Sequence, residues 1–421
     1  MTKRRKKKFN YIKILLAILL IFVVVFMIIK LITKPKEPVK ILMQNVVNKE
    51  LVSTEELLKD YKLDIAVEYK YDNDIAKDHI ISQSIKEGTE LKENDKLTLV
   101  VSLGKIDKEK LKNDKINELG KVPVMMYHGI IDKKNSDTPY TGGNVDKDGY
   151  SRTVEAFRND LEFYYTNGYR MIKLSDYITG NIETEYGKSP IVLTFDDGNA
   201  NNIKVTGLDD AGNIIIDPNS AVGVLEEFKK KYPDFNVTAI FFVTGALFNQ
   251  PEYNEKILNW LVDNGYEVGN HTLGHNNLKN TTTSETQKVV GGMYKQLDEI
   301  LHDKYSKILA LPYGNPTSNT HPNYPYVISG EYEGFKYETM GALRVGWEPE
   351  VSSYNKDFNP LYIKRCRAYD NNGVEFDIQM VFKMLEKTRY ISDGNINTIV
   401  TNNTNSGIIK EGTDKEIILY E

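Results

Sequence analysis

Two short segments of the chain carry side chains that could hold a metal ion and move a proton. The apolar run 191–195 ends in two adjacent carboxylates, Asp196 and Asp197, and a later strand-like segment ends in His271, with His275 close behind it. One carboxylate and two imidazoles make a three-ligand metal site with an open coordination position, which is the catalytic rather than the structural pattern. The sequence therefore predicts a metal-dependent catalytic site.

The two carboxylates also have a simpler interpretation. Asp196, Asp197 and Gly198 could form only a turn, because Asp and Gly favour turns. Neighbouring strand residues point to opposite sides, so adjacent carboxylates can serve two roles at one site only where the strand has ended. Gly198 would supply that break. On these three residues alone the turn is the better explanation, and the downstream histidine pair is what favours catalysis.

Other residues that follow strand-like runs are candidates for the same site: His128, Pro312, Tyr313 and Trp347. A lone histidine at a strand end is usually structural, and an aromatic residue there suits a core equally well. Their positions become informative because several strand ends deliver reactive side chains in this chain.

Strand-like runs alternate with helix-like segments through most of the chain. The apolar spacing predicts helices over 153–167, 222–231, 253–264, 283–301 and 375–389. Such alternation predicts a parallel sheet or barrel. In these folds functional groups collect at the carboxyl ends of the strands, which is where every candidate residue falls.

The N-terminal segment predicts a membrane anchor. An uncharged apolar run extends from Ile14 to Ile29, and with its flanks it reaches the ~20 residues that a bilayer requires. A cleaved signal peptide is the alternative, but no small-x-small cleavage site follows. We expect a cytoplasmic basic tail at 1–10, an uncleaved signal anchor at 11–33 and an extracytoplasmic remainder.

The charge distribution limits the class of partner. Residues 1–36 hold ten Lys or Arg and no acid, so the formal charge of -5 leaves -15 on the remainder. An acidic remainder argues against nucleic acid and fits uncharged polymers such as neutral glycans. Cys366 is the single cysteine, which excludes an internal disulfide and a thiolate metal cluster.

A small α+β module follows the anchor. The capping box Ser53–Glu56 predicts a helix that ends near Tyr61, and the alternating runs 65–71 and 97–102 predict strands. The domains expected after the anchor are this module at 38–104, a charged linker at 105–120 and a large domain at 121–421.

The module resembles a PASTA repeat in its second half. From His79 onward the chain carries the pattern I-x-x-Q-S-x-x-x-G-T and then V-S-L-G, although Gln44 stands where a proline is usual in the first half. The resemblance implies affinity for bacterial peptidoglycan or a role as a spacer, and a single copy is more often a spacer. His79 itself is most simply a surface residue.

The large domain resembles the polysaccharide deacetylase family, also called the NodB-homology or carbohydrate esterase family 4 domain. The resemblance covers about 122–389 and rests on Thr194-Phe-Asp-Asp-Gly198 and His271-Thr-x-x-His275, in this order and separation. The opening V-P-V-M-M-Y-H is similar to the subset typified by poly-N-acetylglucosamine deacetylases. The resemblance implies an α/β fold, a distorted (β/α) barrel, after the transmembrane helix and the PASTA-like module.

The resemblance also implies roles for the candidate residues. Asp197, His271 and His275 would hold a divalent metal ion, most often zinc, and Asp196 would be the general base.

Other roles follow from the same resemblance. His128 would protonate the departing amine, and the backbone N–H of Tyr313, after Pro312, would stabilise the oxyanion. Trp347 would form a wall of the pocket.

Two family features are missing from this sequence. Ala310 stands where the family has the arginine that tethers the catalytic aspartate, and 399–401 replaces the late Leu-x-His motif. The second gap is explained if His128 is the acid. For the first, Arg365 or Arg344 could substitute, and the sequence does not choose between them.

The leading hypothesis is a membrane-anchored, extracytoplasmic, metal-dependent deacetylase that removes N-acetyl groups from an amino-sugar polymer. The anchor and the PASTA-like module favour peptidoglycan over a secreted exopolysaccharide, and the expected partner is a cell-wall glycan, either peptidoglycan or poly-N-acetylglucosamine. The alternatives are a catalytically degenerate glycan-binding protein, which Ala310 supports, and an O-acetyl esterase, which would use the same chemistry.

Overall fold

The computed structural model describes residues 19–27 and 40–421, and the chain divides into two compact units between Gly104 and Lys105. Residues 19–27 form an α-helix (α1). The predicted basic tail and the rest of the predicted signal anchor lie outside the described residues. Within the part of the chain that is described, no helix is both long enough and apolar enough to span a bilayer.

Residues 40–104 of the small unit contain one α-helix, α2 (Leu51–Leu58), and a three-stranded sheet. The strands are β1 (Asp64–Lys70), β2 (Ile80–Gln83) and β3 (Lys96–Ser102). The central strand β3 is parallel to β1 and antiparallel to β2.

The start of α2 corrects the predicted capping box. The N-cap residue is Glu50, and no side-chain hydrogen bond caps this helix. Ser53 lies inside the first turn, where its Oγ donates to the Glu50 carbonyl instead of accepting from the backbone. Strands β1 and β3 match the two predicted strands within one residue, whereas β2 was not predicted. The predicted cap is wrong because the helix begins before it.

The large unit contains sixteen strands and eight α-helices, besides short 3-10 turns. The strands are β4 (Val124–Tyr127), β5 (Ile130–Ile131), β6 (Arg152–Thr153), β7 (Tyr169–Met171), β8 (Ser189–Phe195), β9 (Val205–Leu208), β10 (Ile214–Ile216), β11 (Ile240–Val243), β12 (Glu267–Asn270), β13 (Ile308–Ala310), β14 (Ser329–Tyr332), β15 (Phe335–Glu338), β16 (Gly341–Leu343), β17 (Cys366–Arg367), β18 (Thr398–Asn402) and β19 (Glu416–Tyr420). The helices are α3 (Lys108–Asn113), α4 (Val154–Thr166), α5 (Leu174–Thr179), α6 (Ala221–Lys231), α7 (Asn254–Asp263), α8 (Thr283–Leu301), α9 (Tyr324–Ile328) and α10 (Ile378–Leu385).

Parallel strands of the large unit form one curled sheet in the order β16, β13, β12, β11, β8, β4, β17, and β7 pairs with the first half of β8. At the edge, Ile363 pairs in parallel with Leu343 of β16. A few residues later β17 pairs in parallel with β4 at the opposite edge. The segment 363–367 therefore joins the two edges and closes the sheet into a barrel, which agrees with the predicted α/β architecture.

The barrel strands are buried on both faces, as expected for parallel strands covered by helices. One core lies inside the barrel and includes Val124, Val192, Ile240, Phe242, Ile308, Leu343 and Ile363. The other includes the alternate strand residues Met125, Leu193, Phe195, Phe241, Val243 and Leu309, together with apolar residues of α4, α6, α7 and α8. Strand alternation thus fixes which side chains can point into the barrel.

Two predicted boundaries differ from the structure. The predicted helix 375–389 is shorter, because Glu375 and Phe376 have φ values of 55° and 57° and Asp377 then caps α10 by accepting from the Met380 N–H. The predicted linker 105–120 packs as part of the large unit and includes α3.

Glu118, within that predicted linker, is fully buried against the C-terminal strands. Its carboxylate accepts from the Tyr390 hydroxyl and the Val400 N–H. Strand β18, which contains Val400, pairs in parallel with β19. The segment before β4 and the C-terminal pair therefore form one substructure of the large unit.

Candidate metal centre and active site

The inward-facing positions of several strands converge at the carboxyl end of the barrel. His128, Asp196 and His271 directly follow β4, β8 and β12, and each continues the inward-facing set of its strand. Arg365 lies in the closing segment just before β17 and is completely buried. The sequence prediction that these strand ends share one site is consistent with this geometry.

Asp197 departs from strand alternation through its backbone. Its φ is 74°, in the left-handed region that Asp tolerates better than most residues. The strand therefore breaks at Asp197 itself, one residue before the Gly198 that the sequence indicated. This turn brings the Asp197 Oδ1 within 3.3 Å of His271 Nε2 and 3.5 Å of His275 Nε2.

Asp197, His271 and His275 fit a divalent metal ion. One ligand atom from each lies within 4.8 Å of the others. His271 Nδ1 lies 2.8 Å from the Ala310 carbonyl oxygen, so Nδ1 carries the proton and Nε2 carries the lone pair. Among the described residues, the buried Nε2 has no hydrogen-bond partner, which is the state expected of a metal ligand.

The electrostatics of the three ligands make metal binding compete with protons. Burial would raise the pKa of Asp197, but His271 and His128 outweigh it, so this pKa is lowered. Burial and His271 lower the pKa of His275. Burial would lower the pKa of His271, but Asp196 and Asp197 raise it. Of the three ligands, His271 is therefore the one from which a metal ion must displace a proton. The affinity of the site for the metal ion consequently rises with pH.

Asp196 is held by Arg365 in a buried, bidentate ion pair. Nη1 and Nη2 of Arg365 donate to Oδ1 and Oδ2 of Asp196, both at 2.7 Å. Nη1 also donates to Thr194 Oγ1, and Nε donates to the Arg344 carbonyl at 2.9 Å. Burial would raise the pKa of Asp196, but the charge of Arg365 outweighs it and holds this pKa well below its usual value. The carboxylate is thus ionised and fixed in orientation.

The structure distinguishes the two arginines that the sequence left open. Arg365 contacts Asp196, whereas the guanidinium of Arg344 stacks over the Tyr362 ring at 4.2 Å. Ala310, which stands at the place of the family's arginine, supports the site through its carbonyl bond to His271 instead. The tether of the predicted base therefore comes from the closing segment of the barrel.

His128 lies on the other side of Asp196. Its Nε2 is 3.9 Å from Asp196 Oδ2, and its ring meets the Tyr150 ring edge-on at a centroid distance of 4.9 Å. The His128 carbonyl accepts from the amide of the fully buried Asn202 at 2.6 Å, which fixes the backbone at the strand end. Burial lowers the pKa of His128, an effect that Asp196 and Asp197 only partly offset.

These side chains line one cavity of about 350 Å³ at the barrel mouth. The sequence did not single out several of its lining residues: Tyr150, Ser151, Asn199, Leu311 and Val345. Tyr150 and Ser151 belong to a Gly- and Asp-rich loop with no periodic pattern, so no signal for them existed in the sequence. Leu311 and Val345 looked like ordinary strand ends.

Tyr313, which was predicted to stabilise the oxyanion, and Trp347, which was predicted to form a wall of the pocket, lie in different places. Tyr313 lines the cavity, has a φ of 58° and packs edge-on against His275 at 4.8 Å, while Pro312 is buried beneath it. Trp347 is 55% exposed and lines a separate recess of about 270 Å³. The structure does not bring Trp347 into the cavity with the other candidates.

Replacement of His271 by alanine is expected to abolish tight zinc binding. The loss should exceed the roughly 10–100-fold that removal of a supporting outer partner costs, because a ligand itself is removed. Isothermal titration of the metal-free protein measures it, with the partly exposed His321→Ala as the matched control. Unchanged affinity in His271→Ala would show that the three residues do not form the metal site.

Replacement of Arg365 by methionine is expected to destabilise the protein by about 3–5 kcal/mol at pH 7.5, because it leaves the Asp196 carboxylate buried and unpaired. The depressed pKa of Asp196 means that the pair contributes stability above the unfolded pKa of about 3.9. Without Arg365, burial should raise the Asp196 pKa, so the variant can take up a proton and its deficit should shrink towards about pH 5.

Urea unfolding at both pH values tests this expectation. Arg344→Met is the control, since it removes a guanidinium that stacks on Tyr362 and makes no ion pair among the described residues. A deficit of equal size at both pH values in Arg365→Met would contradict the electrostatic account.

The chain was compared with known families and structures. Residues 183–324 match the family model described as polysaccharide deacetylase, and residues 41–103 match that of the PASTA domain. No curated protein matches the chain.

Several solved structures are similar to part of the chain. A deacetylase, PplD, from Streptococcus pyogenes in complex with acetate is 17% identical over 60% of this chain and 93% of that chain, with a TM-score of 0.43. A de-N-acetylase from Aggregatibacter actinomycetemcomitans is 12% identical over 63% and 99%, with a TM-score of 0.41. The deacetylase domain of BpsB from Bordetella bronchiseptica is 12% identical over 60% and 97%, with a TM-score of 0.37.

The matched segment 183–324 contains Asp196, both histidines of the metal trio and Tyr313, so the family assignment and the geometry concern the same residues. The chain carries a polysaccharide deacetylase domain together with a PASTA domain, and it is a hydrolase of the deacetylase kind.

Proposed function

We propose that this protein is a metal-dependent hydrolase that removes N-acetyl groups from an amino-sugar polymer, with peptidoglycan as the substrate. The observation that carries the proposal is the convergence of a metal-ligand trio, a tethered carboxylate and a histidine on one cavity. Each group supplies a distinct part of amide hydrolysis, and a site that only bound glycan would not require the set.

The ligand trio fits a zinc ion on the evidence of the unpartnered His271 Nε2. A bound divalent ion would lower the pKa of a water molecule towards neutrality and polarise the acetyl carbonyl. Asp196 is placed to accept the proton of the attacking water, because both its oxygens keep a further lone pair beside those used by Arg365. The ion pair with Arg365 keeps the Asp196 carboxylate ionised and fixes its orientation.

His128 is the proposed acid for the departing amine. It lines the same cavity as Asp196, and because burial lowers its pKa, the imidazole is a stronger acid once it has been protonated. Tyr313 also lines the cavity, and we assign its backbone N–H to the carbonyl oxygen, where negative charge develops.

Arg365 weakens the main argument for a degenerate, glycan-binding protein. That argument depended on Ala310 in place of the family's arginine, but Arg365, in the segment just before β17, forms a bidentate pair with Asp196 and can serve as the tether. The absent late histidine is likewise compatible with catalysis if His128 is the acid.

The proposed substrate, peptidoglycan, and the proposed location of the protein depend on segments that precede the catalytic domain. The PASTA domain at 41–103 favours a cell-wall substrate. The apolar run from Ile14 to Ile29, with lysines and arginines before it, supports a single-pass anchor with an extracytoplasmic catalytic domain.

Acetate release tests the proposal directly. The full chain in detergent is stripped with chelator, reloaded with zinc, and assayed on peptidoglycan and on N-acetylglucosamine oligomers. Release should require metal and should be faster from peptidoglycan.

Replacement of Asp196 by asparagine should leave zinc binding intact but lower kcat about 10²–10⁴-fold, because the proposed base is removed. Asp210→Asn, which alters an exposed aspartate, should not lower kcat. Zinc binding without acetate from either polymer would reject the proposed substrate, and absence of zinc binding would favour a glycan-binding protein.

Replacement of His128 by alanine is expected to affect amides and activated esters differently. An amine leaving group needs a proton, so kcat on an N-acetyl substrate should fall about 10²–10⁴-fold. An aryl ester needs none, so acetyl-ester hydrolysis should fall less than about tenfold. The exposed His302→Ala is the control. Equal losses on both substrates would remove His128 from the role of acid.

A further inference from the structure

The PASTA domain has an open edge on its sheet. Strand β1 (Asp64–Lys70) is an outer strand in the order β1, β3, β2, and among the described residues it pairs only with β3. An exposed edge is a template for pairing with another strand, and many proteins shorten such edges or interrupt them with a proline or a bulge. Strand β1 runs for seven residues without a proline or a shift of register.

Alternate residues of β1 present their backbone groups to this edge. The Asp64 N–H donates to the Asp95 carbonyl at 3.0 Å, and the Lys70 carbonyl accepts from the Leu103 N–H at 2.8 Å, both on the side of β3. Because the backbone groups of successive strand residues point to opposite sides, those of Ile65 and Val67 point outward. Neither residue has a backbone partner on that side in the part of the chain that the structure describes.

The exposed face of β1 carries charged side chains. The residues on this face are Asp64, Ala66, Glu68 and Lys70. None of the salt bridges described for the domain includes Asp64 or Lys70, and Lys70 acts on Asp72 only from beyond salt-bridge distance. Charges on an edge strand can discourage pairing or select a partner, and the order of the charges decides which.

The order of these charges is self-complementary in one register. Two copies of β1 related by a two-fold axis pair antiparallel, and registers that keep outward-facing residues opposite one another differ by two residues. With Val67 opposite Val67 of the second copy, the strands overlap along their whole length and each Asp64 lies opposite a Lys70. A shift of two residues one way places Asp64 opposite Glu68, and a shift the other way places Glu68 opposite Glu68. Opposite charges stabilise a cross-strand pair and like charges destabilise it, so the charges favour the register of greatest overlap.

We propose that β1 binds a second copy of this chain by antiparallel pairing centred on Val67, so that two three-stranded sheets form one continuous sheet. The inference goes beyond the proposed function and does not depend on it. A single strand edge is smaller than a standard protein interface, so the expected dissociation constant is about micromolar. Such a dimer carries two PASTA domains and two deacetylase domains, and one wall polymer can then be bound at more than one point.

Sedimentation equilibrium of the full chain in density-matched detergent tests the pairing. The wild type should show a monomer–dimer equilibrium. Asp64→Lys and Lys70→Asp each place like charges opposite one another twice, so each should raise the dissociation constant at least about tenfold. An equimolar mixture of these two variants restores opposite charges at both positions and should dimerise as the wild type does. The matched control is Lys86→Asp, which alters an exposed residue after β2, at the other edge of the sheet, and should have no effect.

Disulfide formation tests the register. Residues 66 and 68 of the two copies would form a non-hydrogen-bonded pair with Cα atoms about 4.5 Å apart, which suits a disulfide. A mixture of Ala66→Cys and Glu68→Cys should therefore form a covalent dimer on mild oxidation, whereas Ala66→Cys mixed with Lys86→Cys should not. The native Cys366 is buried and common to all samples.

Three results would overturn the inference. The first is a chain that stays monomeric at every concentration tested. The second is a dimer whose dissociation constant the single charge changes leave unaltered, because a dimer held by another segment does not respond to Asp64 and Lys70. The third is equal covalent dimer from the two cysteine mixtures.

Discussion

The buried pair between Asp196 and Arg365 is the interaction on which the rest of the large unit depends. A buried ion pair recovers its desolvation cost only when its geometry is good and its remaining hydrogen-bonding groups are satisfied. Here Nε and both Nη atoms of Arg365 donate hydrogen bonds, and the acceptors are the Asp196 carboxylate, the Thr194 hydroxyl and the Arg344 carbonyl. Because Arg365 belongs to the segment that closes the barrel, closure of the sheet and orientation of the proposed base are the same structural event.

The site also shows how one strand end can serve two functions. Asp196 keeps the inward direction of β8 and meets Arg365, while the left-handed backbone at Asp197 redirects the next carboxylate towards His271 and His275. Gly198 follows with a φ of 62°, and a side chain at that position would meet the Leu247 carbonyl. The Asp-Asp-Gly sequence is therefore a turn that also places two carboxylates at the proposed site, so the two interpretations of it are compatible.

Much of this site could be predicted because its residues follow strands that are easily recognised. Asp196, His271 and His128 end long apolar runs, and the carboxyl ends of parallel strands must meet. Arg365 could not be distinguished from Arg344, because the direction of each side chain depends on the register of very short strand pairings, of β16 for Arg344 and of the segment before β17 for Arg365. The predicted cap at Ser53 is wrong because tertiary contacts favour an earlier start of the helix: the Leu51 N–H donates to the Asp78 carbonyl, and Glu50 pairs with His79. Tyr150 is presented by a loop whose path depends on contacts distant in sequence, such as the Asn144 amide with the Asp370 carbonyl.

The order in which the site residues occur along the chain has a consequence for synthesis and folding of the enzyme. Both aspartates and both histidines lie within residues 183–324, whereas the arginine that secures Asp196 comes from the following segment. During synthesis the groups that can capture a metal emerge first and the group that orders the carboxylate emerges last. Contacts so distant in sequence are also among the slowest to form in folding. A partly synthesised or partly folded chain could thus bind a metal ion without catalysing hydrolysis. Catalytic activity would require the complete barrel.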